Sequence, residues 1–554
     1  RVWGLDVLRF YPRSTRHRIS NNALERGRNC YMCQFQKFTG LAGVEASKNL
    51  EIVPSVTTSR TDARANPAVD PFTHGNVETE LGLNVRWALT QNFTTNLALN
   101  PDFSQVEADV AQLDVNNQFA LQFPESRPFF LEGASYFSTP IQAVFTRTVA
   151  DPDVGAKLTG QSGDHALGTF AAEDEVTNLL FPGPLTSQQT SIDDSYETFV
   201  GHYSHSVLDN SQVGALLTTR HGGDYRNDVG GVDGRIRIGG AHSLRFQMLH
   251  SETEYPDATA AAFAQPQGDF AGNAALLRYN YSSREWYSDV TYKRYDQGFR
   301  ADSGFVSRVD IEQEQFEAGR TWQRGQQRWT QIQLSTDGTY TEDLSGRLLD
   351  NNAEIFASFS GPWQSYLQVG GGPMKRFWNG VMYEGDGAFI FSQFRPRGGL
   401  NFSMLIRDGD QVDFSNSRLG HEFRLRPNVD WNVNQHLLLR LQQTMVRLDT
   451  QEGAKIFDAD LTDLRVTWQF NVRSFLRFTT QRQSVTRNLA MWVDPATDAK
   501  TVTMGTQLLY SYKVNPQTVL YVGYSDNSLE DDQLVDLTET NRTFFAKFSY
   551  AWLR

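Results

Sequence analysis

The chain ends in the stretch FFAKFSYAWLR, residues 544–554, in which apolar side chains recur at every second position. One set of alternate positions is almost wholly aromatic and consists of Phe544, Ala546, Phe548, Tyr550 and Trp552. The intervening positions include Lys547 and Ser549. Because successive side chains of a β-strand point to opposite faces, this period of two predicts a terminal strand with one apolar face.

The same alternation recurs earlier in the chain, at residues 244–248, 332–334, 464–472 and 508–514. Short turns such as Val472-Arg473 and Asn515-Pro516 are separated by roughly 30 to 45 residues, enough for two strands of about ten residues and one longer loop. The acidic stretches Asp458–Asp463 and Asp526–Asp536 are expected to be such loops. Short turns at one end and long loops at the other are typical of an outer-membrane barrel.

Composition narrows the alternatives. No apolar stretch of about 18 to 20 residues occurs, which excludes a helical membrane protein. The mean hydropathy is −0.47, and the formal net charge of −13 argues against a nucleic-acid-binding protein. A soluble propeller or solenoid would show repeats similar in sequence, whereas this chain repeats in length only. A sandwich would need far fewer strands.

The sequence therefore predicts an all-β protein, a large antiparallel transmembrane β-barrel over residues 38–554 with about 26 strands, in a range of roughly 22 to 26. Predicted early strands include Phe38–Ala46, Leu50–Arg60 and Ile141–Thr148. Residues 1–37 are expected to form an N-terminal segment in the lumen or the periplasm. Side chains alone cannot fill a lumen of this width, so either something plugs the barrel or it conducts.

Residues 100–137 are the predicted plug, an insertion too long for a turn and without clean alternation. Its mixture of aromatic and charged residues suits a polar lumen, where the charges can pair with inward-facing Arg and Lys. The residues predicted to form the plug or gate are Phe103, Glu107, Asp109, Glu125, Arg127, Phe129, Phe130 and Glu132. The lumen-facing candidates, opposite the apolar positions, are Arg245, Gln247, Arg465, Gln469 and Lys513. For these five, plug anchoring and substrate contact are alternatives.

Several motifs resemble one known family. They are NNALERGRNCYMCQF at residues 21–35, NPDFSQVEAD at 100–109, FPESRPFFLEG at 123–133 followed by Phe137, and GAKLTG at 155–160. Together they are similar to domain-of-unknown-function family 5916. The resemblance implies a large outer-membrane barrel, usually preceded by a domain similar to family-9 carbohydrate-binding modules, which is absent from these residues. It implies no reaction and no catalytic residues.

Cys30 and Cys33 are expected to form a local disulfide in an oxidising envelope compartment. Haem attachment would need His at position 34, where Gln34 stands, and structural zinc would need about four ligands. The carboxylates Glu125 and Glu132 beside Arg127 have the layout of a hydrolase, but a salt-bridged plug is the simpler interpretation. A Ser-His pair in the strand containing His202, Ser204 and His205 is a weaker alternative, since adjacent side chains point to opposite faces.

Three functions follow as expectations. The first is a channel or translocation pore for a bulky polar substrate, gated by the internal segment, with an oligosaccharide mildly favoured. The second is a plugged barrel that anchors partner proteins or a surface assembly. The third, an envelope hydrolase, lacks motif support, so we expect no enzyme, no cofactor and no metal. The expected location is the outer membrane of a Gram-negative bacterium, in contact with lipid and lipopolysaccharide. A periplasmic or surface lipoprotein is the candidate partner, and nucleic acid is not.

Overall fold

The computed structural model describes residues 2–11, 17–23, 32–40, 50–100, 111–192, 195–208, 210–323, 329–515, 517–534 and 536–553. In these ranges the chain forms a closed antiparallel β-barrel, with each strand paired to its neighbour in the chain. The wall closes where the last long strand pairs with the first, from Asn541 opposite Ala63 to Ser549 opposite Ser55. The predicted fold class is confirmed.

Twenty-four strands span the wall, within the predicted range. They are β1 (Leu50–Ala63), β2 (Glu78–Ala88), β3 (Phe93–Leu99), β4 (Pro152–Ser162), β5 (His165–Asp174), β6 (Tyr196–Leu208), β7 (Ser211–Gly222), β8 (Tyr225–Ile238), β9 (His242–Glu254), β10 (Phe270–Ser282), β11 (Trp286–Tyr295), β12 (Ile311–Gln323), β13 (Gln331–Asp343), β14 (Leu348–Gly361), β15 (Ser365–Trp378), β16 (Val381–Arg397), β17 (Leu400–Asp413), β18 (Arg418–Asn432), β19 (Leu437–Thr450), β20 (Lys455–Asn471), β21 (Ser474–Arg487), β22 (Lys500–Lys513), β23 (Val519–Glu530) and β24 (Thr538–Ser549). Two short segments, Thr73–His74 and Trp552–Leu553, pair with parts of β1 and do not add further wall-spanning strands.

The described chain also contains short elements outside the wall strands. The helices are α1 (Pro128–Leu131) and α2 (Asp257–Ala262), and the 3-10 turns are Met32–Gln34, Ala134–Phe137, Thr146–Thr148, Pro362–Gln364 and Leu489–Met491. Three two-stranded sheets pair Trp3–Leu5 with Gln36–Phe38, Leu8–Tyr11 with His17–Ser20, and Thr177–Pro182 with Ser187–Ile192. The predicted strand Phe38–Ala46 falls partly on residues 41–46, outside the described residues.

The outer face of the wall is apolar. Met248, Ile355 and Trp468 point outward and are 62%, 65% and 44% exposed, respectively. Large exposed apolar side chains around a closed barrel match a lipid environment, in which the wall satisfies its own backbone hydrogen bonds. Among the described residues, no helix has both the length and the hydrophobicity to cross a bilayer.

The strands are longer than a bilayer requires, which corrects two predicted loops. Strand β20 has 17 residues and contains Asp458–Asp463, and β23 contains Asp526–Glu530. A tilted transmembrane strand needs about 9 to 11 residues. The acidic residues therefore lie on strand ends that continue beyond the hydrocarbon layer, where charge carries little cost.

The lumen contains a segment between β3 and β4, whose described part is residues 111–151 and is called the lumenal segment below. The predicted strand Ile141–Thr148 is wrong, because these residues lie in that segment and end in a 3-10 turn. The apparent alternation has another cause: Ile141 and Ala143 are buried in a core inside the barrel.

That core joins three parts of the chain. The lumenal segment contributes Phe130, Phe137, Ile141, Ala143 and Val149; the wall contributes Phe170, Ala172, Val200, Leu216, Val229, Leu249, Ala274 and Leu276; and residues 296–310 contribute Phe299, Ala301, Val306 and Val309. Phe170 lies at its centre, with its ring centroid 5.9 Å from that of Phe130 and 5.3 Å from that of Phe137. The lumen is therefore packed like a protein interior along strands β5–β10.

Phe170→Ala should loosen the lumenal segment without opening the wall. Removing a buried phenyl ring costs about 3 to 5 kcal/mol locally, so amide exchange across residues 128–145 should accelerate. Hydrogen–deuterium exchange of the detergent-solubilised protein measures this. Phe199→Ala, which removes an outward-facing ring from the next strand, is the control; equal exchange in the two variants would contradict the proposed packing.

Candidate functional site

The lumenal segment crosses the barrel from β17 and β20 to the opposite wall. The Ala111 N–H donates to Oδ2 of Asp463 on β20 over 3.4 Å. Asn116 bonds to β17 and the residue after it: its Nδ2 donates to the Val412 carbonyl over 2.8 Å, and its Oδ1 accepts from the Phe414 N–H over 3.0 Å. Beyond Asn116 the chain turns to the opposite wall, where most of its contacts lie.

Glu125 and Arg127 join the two arms of the segment. The Arg127 guanidinium donates to both carboxylate oxygens of Glu125, at 2.9 and 2.7 Å, and to the carbonyls of Val149 and Thr146, both at 2.7 Å. The Thr146 hydroxyl donates to Glu125 Oε2 over 2.6 Å. Burial opposes ionisation of Glu125, but the hydrogen bonds and charge of Arg127 and the bond from Thr146 outweigh it and lower the pKa of Glu125 to about 2.

Contacts between Glu132 and the wall fix the turn that follows α1. The Glu132 carboxylate accepts hydrogen bonds from Arg86 Nε over 2.6 Å and from Asn96 Nδ2 over 3.3 Å. Lys157, only 2% exposed, donates from Nζ to the Glu132 carbonyl over 2.6 Å and to the Phe129 carbonyl. Lys157 belongs to the GAKLTG motif, and Glu132 belongs to FPESRPFFLEG. Two of the motifs that carry the family resemblance therefore contact each other here, one in the plug and one in the wall.

Farther along, His202 on β6 fastens Tyr136. His202 Nδ1 lies 2.7 Å from the Tyr136 carbonyl oxygen, and Nε2 lies 2.9 Å from Asp233 Oδ2 on β8. Both partners are acceptors, so the two hydrogen bonds coexist only in the imidazolium form. His205 belongs to the same strand but stacks on His165, at 4.6 Å between ring centroids. His202 is therefore committed to the plug rather than to a Ser-His pair.

A second inward loop, residues 296–310, was not predicted. Its Asp302 accepts from the Tyr225 hydroxyl over 2.7 Å and from the Tyr255 hydroxyl over 3.0 Å, while Arg220 donates to the Asp302 carbonyl over 3.1 Å. Burial raises the pKa of Asp302 even though these tyrosines and the nearby arginines favour its ionised form. No motif signals this cluster, because its members are scattered over strands β7–β9 and one loop.

Loop 296–310 and the lumenal segment are joined by backbone hydrogen bonds. The Phe145 N–H donates to the Ser303 carbonyl over 2.7 Å, and the Phe305 N–H donates to the Gln142 carbonyl over 2.9 Å. The plug is therefore built from two loops of the barrel.

The five lumen-facing candidates lie in separate places. Gln247 is fully buried and its Oε1 accepts from the Ile141 N–H over 2.6 Å, and Arg245 lines a cavity beside Thr139 and Pro140. On the other side of the barrel, Arg465 pairs with Asp463 at 3.0 Å. Gln469 donates to the Asn471 carbonyl, and Lys513 lies over the rings of Phe475 and Tyr521.

Part of the predicted site lies outside the described residues, namely Phe103, Glu107, Asp109 and Cys30. Cys33 is in the 3-10 turn Met32–Gln34, but its side chain is also outside the description. The disulfide therefore stays a prediction. Within the described ranges, no group of three or more His, Cys, Asp or Glu side chains is arranged to hold a metal ion.

A closed barrel with an apolar outer face and a filled lumen defines this protein as a transmembrane β-barrel of the outer-membrane type. Within that class, the family described as "Domain of unknown function (DUF5916)" matches residues 50–162, which comprise β1–β4 and the lumenal segment. This match confirms the resemblance predicted from the motifs.

Among curated proteins, none matches the chain. Solved structures do. BauA, the ferric preacinetobactin receptor from Acinetobacter baumannii, has a TM-score of 0.42 and 9% identity, covering 90% of this chain and 80% of its own. A mutant of PfeA, the ferric enterobactin receptor from Pseudomonas aeruginosa, in complex with enterobactin, has a TM-score of 0.43 and 10% identity over 92% and 82%. The FrpB iron transporter from Neisseria meningitidis has a TM-score of 0.40 and 8% identity over 92% and 82%.

Glu125→Gln should release the arm that Arg127 ties down. Because the folded pKa of Glu125 is about 2, below the ordinary value of 4.5, its stabilisation is complete above that ordinary value and disappears only as the pH falls toward 2. Exchange at residues 125–149 should therefore be slow and independent of Glu125 titration in the wild type at about pH 5 to 8, and faster in the variant throughout. Glu384→Gln, which breaks the exposed ion pair with Lys375 between β15 and β16, is the control. Unchanged exchange in Glu125→Gln would refute the tie.

Proposed function

We propose that this protein is an outer-membrane translocation barrel for a bulky polar solute, gated by the lumenal segment. The observation that carries this proposal is the unequal attachment of the segment to the two sides of the wall. Along β5–β10 it is held by a continuous apolar core. On the β17–β21 side it is held by the hydrogen bonds of Asn116 and by Leu113 and Val115, which pack at the edge of a smaller cluster of six buried residues on β19–β21.

The wall of β14–β20 supports a pathway because it is polar and open to water. Arg407 and Arg440 occupy inward positions, and their side chains are 53% and 60% exposed. Inward charges here are balanced by ion pairs, Arg424 with Glu422 at 3.0 Å and Arg465 with Asp463 at 3.0 Å. Such a wall offers hydrogen bonds to sugars or peptides without a strong net field. An oligosaccharide therefore stays one candidate cargo, and a short peptide is the other.

The second candidate function is a permanently plugged scaffold that anchors partner proteins, including lipoproteins. It is favoured by the core at β5–β10, which is as dry as a soluble protein's interior, and by the full use of Glu125 and Arg127 in structural bonds. A conductance measurement distinguishes the translocation barrel from the plugged scaffold.

Deleting residues 116–137 should produce large, stable conductance steps in planar bilayers, because the lumenal crossing is removed while the wall strands remain. Single-channel recording of the full chain and the deletion, both confirmed as folded by heat-modifiable gel mobility, tests this. If neither conducts, the translocation proposal is lost and the scaffold takes its place. Addition of maltotriose or trialanine to a conducting channel then reports on cargo through current block.

Asn116→Gly isolates the gate more finely. The glycine keeps the positive φ of 57° found at Asn116 and removes only the two bonds to Val412 and Phe414. Loss of these bonds, each worth about 0.5 to 1.5 kcal/mol, should raise the open probability several-fold. Asn117→Gly is the matched control, since the Asn117 side chain bonds only to Leu113 and Asp114 within the segment. Equal opening in both variants would show that the bonds to β17 do not close the gate.

A further inference from the structure

The wall below the lumenal segment carries a row of like charges. Arg235 on β8 lies directly opposite Arg245 on β9, and Arg245 lies directly opposite Arg278 on β10. All three share the inward face with Gln247. Like charges directly opposite one another destabilise a sheet, so this row needs a compensating partner.

That partner is only partly supplied by the described chain. Arg278 pairs with Asp289 at 2.8 Å. No described carboxylate is close enough to form an ion pair with Arg235 or Arg245, and Nε of Arg235 is buried without a hydrogen-bond partner. Lys293, on the neighbouring β11, contacts only the amide of Gln313, at 3.4 Å. On the opposite wall, by contrast, Arg424 and Arg440 are paired with Glu422 and Asp430.

A row of carboxylates continues around the wall from this point. Asp289 lies directly opposite Glu317, Glu317 opposite Asp337, and Asp337 opposite Glu354, on four successive strands. The outer two have cationic partners, Arg278 and Arg407. The inner two, Glu317 and Asp337, form no ion pair with any described residue, and Oδ1 of Asp337 is buried without a hydrogen-bond partner.

Members of both rows line one cavity of about 420 Å³, roofed by Thr139 and Pro140 of the lumenal segment. Arg245, Arg278 and Lys293 line one end, and Asp289, Glu317 and Asp337 line the other. After the Arg278–Asp289 pair is set aside, Arg245 and Lys293 and the carboxylates Glu317 and Asp337 line the cavity without an ion-pair partner among the described residues.

We propose that this cavity binds a short zwitterionic peptide, with its carboxylate on Arg245 and Lys293 and its ammonium group on Glu317 and Asp337. A ligand with one charge of each sign at opposite ends neutralises both ends, whereas a neutral oligosaccharide leaves all four charges uncompensated. The backbones of Arg245 and Glu317 are three strands apart, about 14 Å around the wall. An extended tripeptide spans about 10 Å, and the side chains reach inward across the remainder.

The assignment of this cavity to the cargo rests on the proposed translocation function, but binding does not. Affinity is therefore measured on the full, detergent-solubilised chain by titration calorimetry, apart from conductance. A barrel that conducts but does not bind peptide overturns the inference alone. A barrel that binds peptide but conducts in no form overturns only the translocation proposal.

The probes are trialanine, N-acetyl-trialanine, trialanine amide and maltotriose. Trialanine should bind best, and loss of either terminal charge should weaken binding about tenfold, as expected for one charge-assisted contact. Maltotriose should bind more weakly than either capped peptide. Equal affinity for free and capped peptides, or tighter binding of maltotriose, would overturn the proposal.

Variants assign the two ends. In Arg245→Gln/Lys293→Gln, trialanine should lose about tenfold or more in affinity, and trialanine amide, which lacks the carboxylate, should lose little. Glu317→Gln/Asp337→Asn should show the reverse dependence, on N-acetylation. Arg424→Gln/Arg440→Gln, which removes two inward arginines from the other wall, is the control and should bind as the wild type does. A loss that is the same for every probe, or that also occurs in the control, would contradict the assignment of ends.

Discussion

The structure depends on one constraint: every backbone N–H and C=O that faces lipid must find its partner within the wall. Pairing of β24 with β1 meets this demand at the last open edge. Closure at twenty-four strands then fixes a circumference too large for wall side chains to fill. A filled lumen is thus a consequence of closing the wall at this width, and the long insertion between β3 and β4 supplies the filling.

The filling has its own constraint, which is that charges taken from water need partners. Glu125, Arg127 and Lys157 each meet it with several hydrogen bonds, all of them within the plug or between plug and wall. This explains why charged residues alternate with phenylalanines in FPESRPFFLEG: the rings form the core, and the charges fix the backbone that carries them. The same bonds occupy the carboxylate of Glu125, so the Glu125–Arg127 pair has a structural role.

The sequence was sufficient for the wall but insufficient for the interior. Alternation predicts a strand because successive side chains face the lipid and the lumen in turn. This signal is strongest in the closing strand, at Phe544–Phe548. The prediction was wrong at Ile141–Thr148, because burial in a folded plug gives the same period of two. It was also wrong at Asp458–Asp463, because the strand continues beyond the hydrocarbon layer. The Glu125–Arg127 tie was foreseeable because its members are neighbours in the chain. Asp302 with Tyr225, Tyr255 and Arg220 was not, because pairing register brings them together from four separate elements.

The charges that remain without partners are therefore informative. On β18–β20 the wall neutralises Arg424, Arg440 and Arg465 with acids of the same or adjacent strands, which shows that the chain has the means to do so. Beneath Thr139 and Pro140 it instead sorts cations onto β8–β11 and carboxylates onto β11–β14, in direct register with like charges. Exchanging a few residues between these rows would remove the repulsion. The repulsion nevertheless persists in a cavity that opens to the lumen, as expected of a binding site. In such a site the ligand supplies the missing charges, and the sheet carries the repulsion while the site is empty.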